Sequence, residues 1–183
     1  MANIEIERKF LVIGEYKHFA FDNQHIAQGY LSSNPERTVR IRIKGEQGFI
    51  TVKGIGDSTG LSHFEWEKEI DVKDAQEMLA LCGSEIIDKT RYYIRHDKHI
   101  IEVDEFHGAN EGLTMAEVEL SNANEHFEKP DWLGEEVTSN VRYFNTELMK
   151  NPYSKWNSND EEAIRKILYI DILLSDKNRN QQK

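Results

Sequence analysis

Along the first 120 residues, apolar and polar positions alternate in short runs, the period of two expected of strands whose faces meet different surroundings. The runs 3–12, 26–33, 37–44, 48–54, 62–71, 86–95, 99–106 and 114–120 read as eight strands. Gly45-Glu46-Gln47-Gly48 and Asp97-Lys98 fall where tight hairpins are needed. The segments 54–60 and 107–112 are longer loops supplied with turn-forming residues. Helical spacing replaces alternation in three places. Asp74, with Glu77 three residues on, predicts a capped helix through Ala75, Met78, Leu79 and Cys82, ended by Gly83. Val141, Phe144, Leu148 and Met149 predict a second helix over 141–150. Ile164, Ile167, Leu168 and Leu174 predict a third over 161–174, followed by a frayed polar tail at 176–183.

The polar faces of the strands are not generic. They carry Glu5, Glu7 and Lys9; Arg40, Arg42 and Lys44; Lys53; Glu65, Glu67 and Glu69; Lys89 and Arg91; Glu102 and Asp104; Glu117 and Glu119. After the first strand, each commits to one sign of charge. A solvated sheet face is the plain alternative for any single strand, but segregation strand by strand predicts acidic and basic walls facing one another across an enclosed space. Eight antiparallel strands can enclose one by closing into a barrel. The expected fold is therefore α+β, mainly β: an eight-stranded antiparallel closed β-barrel, or tunnel, with a charged interior and helices packed outside. A charged interior must be wet and ligand-filled, because unpaired buried charges are costly. Clustered carboxylates suit a hard divalent cation such as Mg²⁺ or Mn²⁺, and clustered Arg and Lys suit phosphate oxygens.

Composition refines this picture. The chain has 183 residues, 33 acidic and 23 basic, and a net charge of -10, which argues against nonspecific nucleic-acid or anionic-membrane binding. The predicted interior is nearly balanced, with nine acids against seven bases, so the global charge does not exclude a phosphate ligand. One cysteine, Cys82, excludes an internal disulfide framework, and no apolar run is long enough to span a bilayer. With no signal-like start, a cytoplasmic protein is expected. Lys44, beside a turn, reads as solvated. His63, His96, His99 and His107 read as surface residues, Trp66 and Trp132 as packing residues, and Cys82 as an inert core thiol.

Glu5-Ile6-Glu7-Arg8-Lys9 resembles the ExExK signature of the CYTH superfamily, the triphosphate tunnel metalloenzymes. The matching segments follow in family order: Gln28-Gly29-Tyr30-Leu31, Val39-Arg40-Ile41-Arg42, Thr51-Val52-Lys53-Gly54, Glu65-Trp66-Glu67-Lys68-Glu69, Lys89-Thr90-Arg91-Tyr92, Glu102-Val103-Asp104 and Ala116-Glu117-Val118-Glu119. Residues 130–138 are similar to the bacterial branch, and the resemblance spans about residues 3 to 152. This implies a domain over 1–152 and a C-terminal extension over 153–183, whose helix either plugs a tunnel mouth or packs elsewhere.

The resemblance also implies an activity and a division of labour. Glu5, Glu7 and Glu119 would hold the main Mg²⁺ or Mn²⁺, with Asp104 and Glu117 supporting a second metal or placing the attacking water. Lys9, Arg40, Arg42, Lys53, Lys89 and Arg91 would clamp phosphates, and Tyr30 stands at a position linked to catalysis in parts of the family. The expected reaction is metal-dependent hydrolysis of inorganic triphosphate to pyrophosphate and phosphate. Class IV adenylate cyclase, thiamine or nucleoside triphosphatase, and a non-catalytic polyphosphate- or nucleotide-binding module are the alternatives. The expected partner is a small triphosphate, with no nucleic acid and no membrane; a homodimer stays open.

Overall fold

A computed structural model describes residues 4–34, 36–56, 62–83 and 86–156. The predicted helix at 161–174 and the tail at 176–183 lie outside them. The strands are β1 (Ile4–Val12), β2 (Ala20–Ser32), β3 (Arg37–Lys44), β4 (Gln47–Gly56), β5 (Ser62–Ile70), β6 (Ile87–His96), β7 (His99–Phe106), β8 (Thr114–Glu119) and β9 (Leu133–Glu136). The helices are α1 (Val72–Leu81) and the short α2 (Asn145–Lys150). The fold is mainly β, one antiparallel sheet in the order β5-β4-β3-β2-β6-β7-β8-β1-β9. β1 also pairs with β5, aligning Ile4 with Phe64, Glu5 with His63 and Ile6 with Ser62.

The hairpins form where the sequence placed them. Lys44 pairs with Gln47 around Gly45-Glu46, and His96 pairs with His99 around Asp97-Lys98. Gly45 has φ 57 and Asp97 φ 52, the left-handed backbone that glycine adopts freely and aspartate tolerates.

Four local expectations are corrected. β2 begins at Ala20 rather than 26, because the polar stretch through Asp22, Asn23 and Gln24 is paired along β6 and needs no apolar alternation of its own. The cap of α1 is Asp71, whose side chain accepts from the Lys73 N–H, so the helix starts before Asp74. The predicted helix over 141–150 is a 3-10 turn (Val141–Tyr143) followed by α2, interrupted at Phe144, whose backbone is extended (φ -74, ψ 138). β9 went unpredicted: four residues are too few to show a period, and only pairing with β1 makes them a strand.

Outward faces carry the apolar core. Phe10, Ile94, Ile101, Val103, Ala116, Val118 and Leu133 are buried together, and a second cluster joins Ile87, Phe106, Leu113, Met115, Leu148 and Trp156. Trp156 and its neighbour Tyr153 thus pack on the strands although the sequence reading assigned them to the extension. α1 lies against β2, β3 and β4. Close approach requires glycine there: a Cβ on Gly29 would sit 2.6 Å from the Cys82 Cβ, and one on Gly48 2.6 Å from the Ala75 Cβ. Trp66, expected to pack, is 41% exposed on β5. No helix among the described residues is long and apolar enough to cross a membrane.

Candidate active site

With the apolar side chains of these strands committed to the outer core, the alternate positions turn toward a cavity of about 1290 Å³. Its wall includes Glu5, Glu7, Lys9, Tyr30, Arg40, Arg42, Lys53, Lys89, Arg91, Glu117 and Glu119. Among the predicted site residues only Asp104 is absent from that wall. All seven predicted interior bases line it, as do seven of the nine predicted acids. Glu69 does not; it accepts a hydrogen bond from the exposed Gln47 amide instead.

The charges pair both along and across strands. The Lys9 ammonium donates to Glu7 at 2.6 Å and to Glu117 at 2.5 Å. Burial alone would lower its pKa, but Glu117 and Glu7 outweigh burial and hold it above the ordinary lysine value. Arg91 donates to Asp104 from Nε and Nη2, each at 2.6 Å, to Glu117 at 2.8 Å, and to Glu102. Lys89 reaches Asp104 at 2.5 Å. Asp104 is 1% exposed, so it sits behind the wall, holding two cations that line it. Burial would raise Glu117 and Asp104, yet both fall below the ordinary carboxylate range: Glu117 beside Lys9 and Arg91, Asp104 beside Arg91 and Lys89. Lys89 is different. Full burial lowers it to about 8, outweighing Asp104, because Arg91 shares that carboxylate and adds its own repulsion.

The opposite wall is built around Glu67. It accepts from Thr51 Oγ1 at 2.6 Å, Arg42 at 2.8 Å and Arg40 at 3.2 Å. Burial opposes its ionisation, but Arg42 and the Thr51 hydroxyl lower its pKa. The sequence reading left the roles of Glu65, Glu67 and Glu69 undivided; the structure makes Glu67 the tie between the two arginines. Lys53 joins Glu5 at 2.9 Å and Glu65 at 2.6 Å. The Nε–H groups of Arg40 and Arg42 are buried with no acceptor among the described residues, leaving donors for an anion. Burial raises the Tyr30 hydroxyl pKa against the opposing influence of Arg40 and Lys53.

The acidic side of the cavity is less settled electrostatically. Glu7 and Glu119 face each other directly across the β1–β8 ladder. Burial raises the pKa of Glu119, and Glu5, Glu102, Glu7 and Glu65 raise it further. Such crowding of hard oxygen donors suits a divalent cation. No group of three or more His, Cys, Asp or Glu among the described residues is arranged to hold a metal ion, because Glu5 is turned onto Lys53 and Glu7 onto Lys9. The donor chemistry fits; coordination requires those carboxylates to exchange partners.

His99 and Glu125 were not expected on the wall, and Lys44 was counted on its face yet read as solvated beside the turn. Lys44, read as solvated, lines the cavity with its ammonium 5.1 Å from the Tyr93 ring centroid. His99, read as a surface residue, has a side chain only 8% exposed and meets Glu125 at 2.9 Å. Glu125 also accepts from the Ser121 backbone and hydroxyl, each at 2.5 Å, which fixes the turn just after β8. The signal for Lys44 was present, since it shares a face with Arg40 and Arg42; none marked Glu125.

Comparison with known proteins places this geometry. The CYTH domain family pattern matches residues 3–153. A relative from Acetivibrio thermocellus named inorganic triphosphatase is 46% identical over 154 residues, covering 83% of this chain and 97% of the relative. Another of that name, from Nitrosomonas europaea, is 36% identical over 148 residues, covering 79% of this chain and 95% of the relative. The crystal structure of the inorganic triphosphatase NE1496 aligns with a TM-score of 0.59 at 32% identity, over 79% of this chain and 93% of that one. On both sequence and fold, the chain belongs to the CYTH domain family.

Proposed function

We propose that this chain hydrolyses inorganic triphosphate to pyrophosphate and phosphate, with a divalent cation, Mg²⁺ or Mn²⁺, inside a tunnel closed by the pairing of β5 with β1. The observation that carries the reading is the division of the cavity. The buried Nε–H donors of Arg40 and Arg42 lack acceptors among the described residues, while Glu119 is crowded by other carboxylates. The names of the two relatives support inorganic triphosphate as the substrate.

Phosphoryl transfer needs alignment and charge neutralisation rather than a protein nucleophile. Lys9, Arg40, Arg42, Lys53, Lys89 and Arg91 would bind the phosphate oxygens and hold the chain in line. Glu5, Glu7 and Glu119 would hold the cation. Phosphate oxygens that take over Lys9 and Arg91 would free Glu117 to join that set, whereas Asp104 keeps Lys89 and Arg91 oriented from behind the wall. Bound there, a divalent cation supplies neutralisation of phosphate charge and lowers the pKa of a coordinated water. Glu67 would keep Arg40 and Arg42 in register, and Tyr30 would offer its neutral hydroxyl as a donor.

The test is a substrate panel. Purified protein with triphosphate, ATP or thiamine triphosphate, each with Mg²⁺ and with Mn²⁺, should release phosphate and pyrophosphate from triphosphate most rapidly. Cyclic AMP from ATP, or preferred cleavage of thiamine triphosphate, would replace this reading. Absence of turnover with all three would favour a binding module.

A further inference from the structure

Gln28, in the second half of β2, is fully buried, at 0% exposure. Its cross-strand neighbours are Arg42 on β3 and Ile87 on β6, and it stands behind the cavity wall rather than on it. Its amide nitrogen donates to the Tyr30 hydroxyl oxygen at 3.4 Å, while Oε1 has no hydrogen-bond partner among the described residues. A buried amide left half satisfied is costly, and an apolar side chain of the same shape would serve folding as well or better. Nor does the amide anchor the arginine opposite, because the Arg42 Nε–H is itself unpaired among the described residues. What it does hold is Tyr30.

A phenolic hydroxyl has one proton, and a donor on its oxygen restricts where that proton points. With the Gln28 N–H on the oxygen, the Tyr30 proton cannot turn back onto the amide. No acceptor among the described residues takes it instead. Tyr30 lines the cavity directly opposite Arg40 in the β2–β3 register, where Arg40 keeps its own unpaired, buried Nε–H. Two donors, a hydroxyl and a guanidinium, thus stand on adjacent strands with no acceptor. Contacts of this kind are commonly long until a ligand draws them tight, which the 3.4 Å separation fits.

We propose that Gln28 is a positioning residue, holding the Tyr30 oxygen so that the hydroxyl proton is presented to a phosphate oxygen of bound triphosphate. The proposal rests on the triphosphatase reading and deepens it at one wall residue. A donor on the oxygen also polarises the O–H, which strengthens its bond to an anionic acceptor. Gln28 touches no substrate; its effect passes through Tyr30.

Calorimetry of triphosphate binding to the full chain in EDTA reads this without turnover, in a cycle of Gln28→Met, Tyr30→Phe and the double variant. Tyr30→Phe should weaken binding about tenfold, the loss of one hydrogen bond to a charged group, and Gln28→Met about threefold. In the Tyr30→Phe background, Gln28→Met should cost nothing further. Gln28→Met should melt at or above the wild-type temperature, since it removes a half-satisfied buried amide. If it does not fold, Gln28→Glu takes its place in the cycle. An ionised carboxylate accepts from Tyr30 but cannot donate to it, so that loss should likewise shrink in the Tyr30→Phe background. Unchanged affinity in Gln28→Met, or losses that simply add in the double variant, would overturn the positioning role. Coupled losses of affinity with no hydrolysis of triphosphate on adding Mg²⁺ or Mn²⁺ would overturn the hydrolytic reading and leave the positioning role standing.

Discussion

Glu7 and Glu119 stand directly opposite one another across the β1–β8 ladder, two carboxylates at one cross-strand position. Like charges so placed destabilise a sheet, and the raised pKa of Glu119, from burial and from Glu5, Glu102 and Glu7, is the same conflict seen through a proton. A cation between them reverses its sign.

Glu119→Gln should therefore have opposite effects with and without metal. Without divalent cation the variant should be more stable than wild type by about 0.2–1 kcal/mol, because a repulsive pair is gone. With Mg²⁺ or Mn²⁺ the stabilisation seen in wild type should shrink and triphosphate turnover should fall. Thermal unfolding in EDTA and in Mg²⁺ checks both directions.

Lys89 predicts the alkaline limb. Burial lowers it to about 8, so the phosphate clamp loses a cation as pH rises through that value, and KM for triphosphate should climb. Stability should move the other way. Because the folded pKa lies below the unfolded one, the unfolded chain binds more protons between about pH 8 and the ordinary lysine range, so this residue's contribution to stability rises with pH there. KM between pH 6.5 and 9.5 checks the first statement, and Lys89→Arg, whose charge persists, should flatten the rise.

Glu67 should behave as a positioning residue. It holds Arg40, Arg42 and Thr51 at one point. Releasing two guanidinium groups by Glu67→Ala should lower kcat/KM for triphosphate by roughly 10–100-fold, the scale on which misplacement is felt. An increase would mean that Glu67 competes with substrate for the arginines.

Gly48 tests the packing of α1 apart from the chemistry. Gly48→Ala places a Cβ 2.6 Å from that of Ala75 and 3.1 Å from the Ile70 carbonyl oxygen. Overpacking of this kind costs about 1–3 kcal/mol. Denaturant midpoints should fall accordingly, while KM measured below the transition should stay near wild type.

How much of this was legible depends on what each residue answers to. The eight long strands, both hairpins and the wall from Glu5 to Glu119 follow from period-two alternation and from the sign of charge on each strand, which are local properties. β9 and the start of β2 did not follow, because their pairing partners on β1 and β6, not their own pattern, make them strands. His99 and Glu125 were missed for a related reason: neither carries a periodic signal, and they join the wall only because the turn after β8 folds back onto the β6–β7 hairpin. Asp104 shares its strand face with Glu102, yet the structure divides them, Glu102 on the wall and Asp104 behind it under Lys89 and Arg91, a distinction that spacing does not encode.

The central claim is that the walls of this cavity together hydrolyse triphosphate with a divalent cation. Phosphorus NMR of inorganic triphosphate incubated with the full chain tests it most directly, in Mg²⁺ and again in EDTA, beside Glu7→Ala. The account predicts equal molar phosphate and pyrophosphate from wild type with Mg²⁺, and neither in EDTA or with the variant. Intact triphosphate in every tube, or turnover by Glu7→Ala at the wild-type rate, would contradict it.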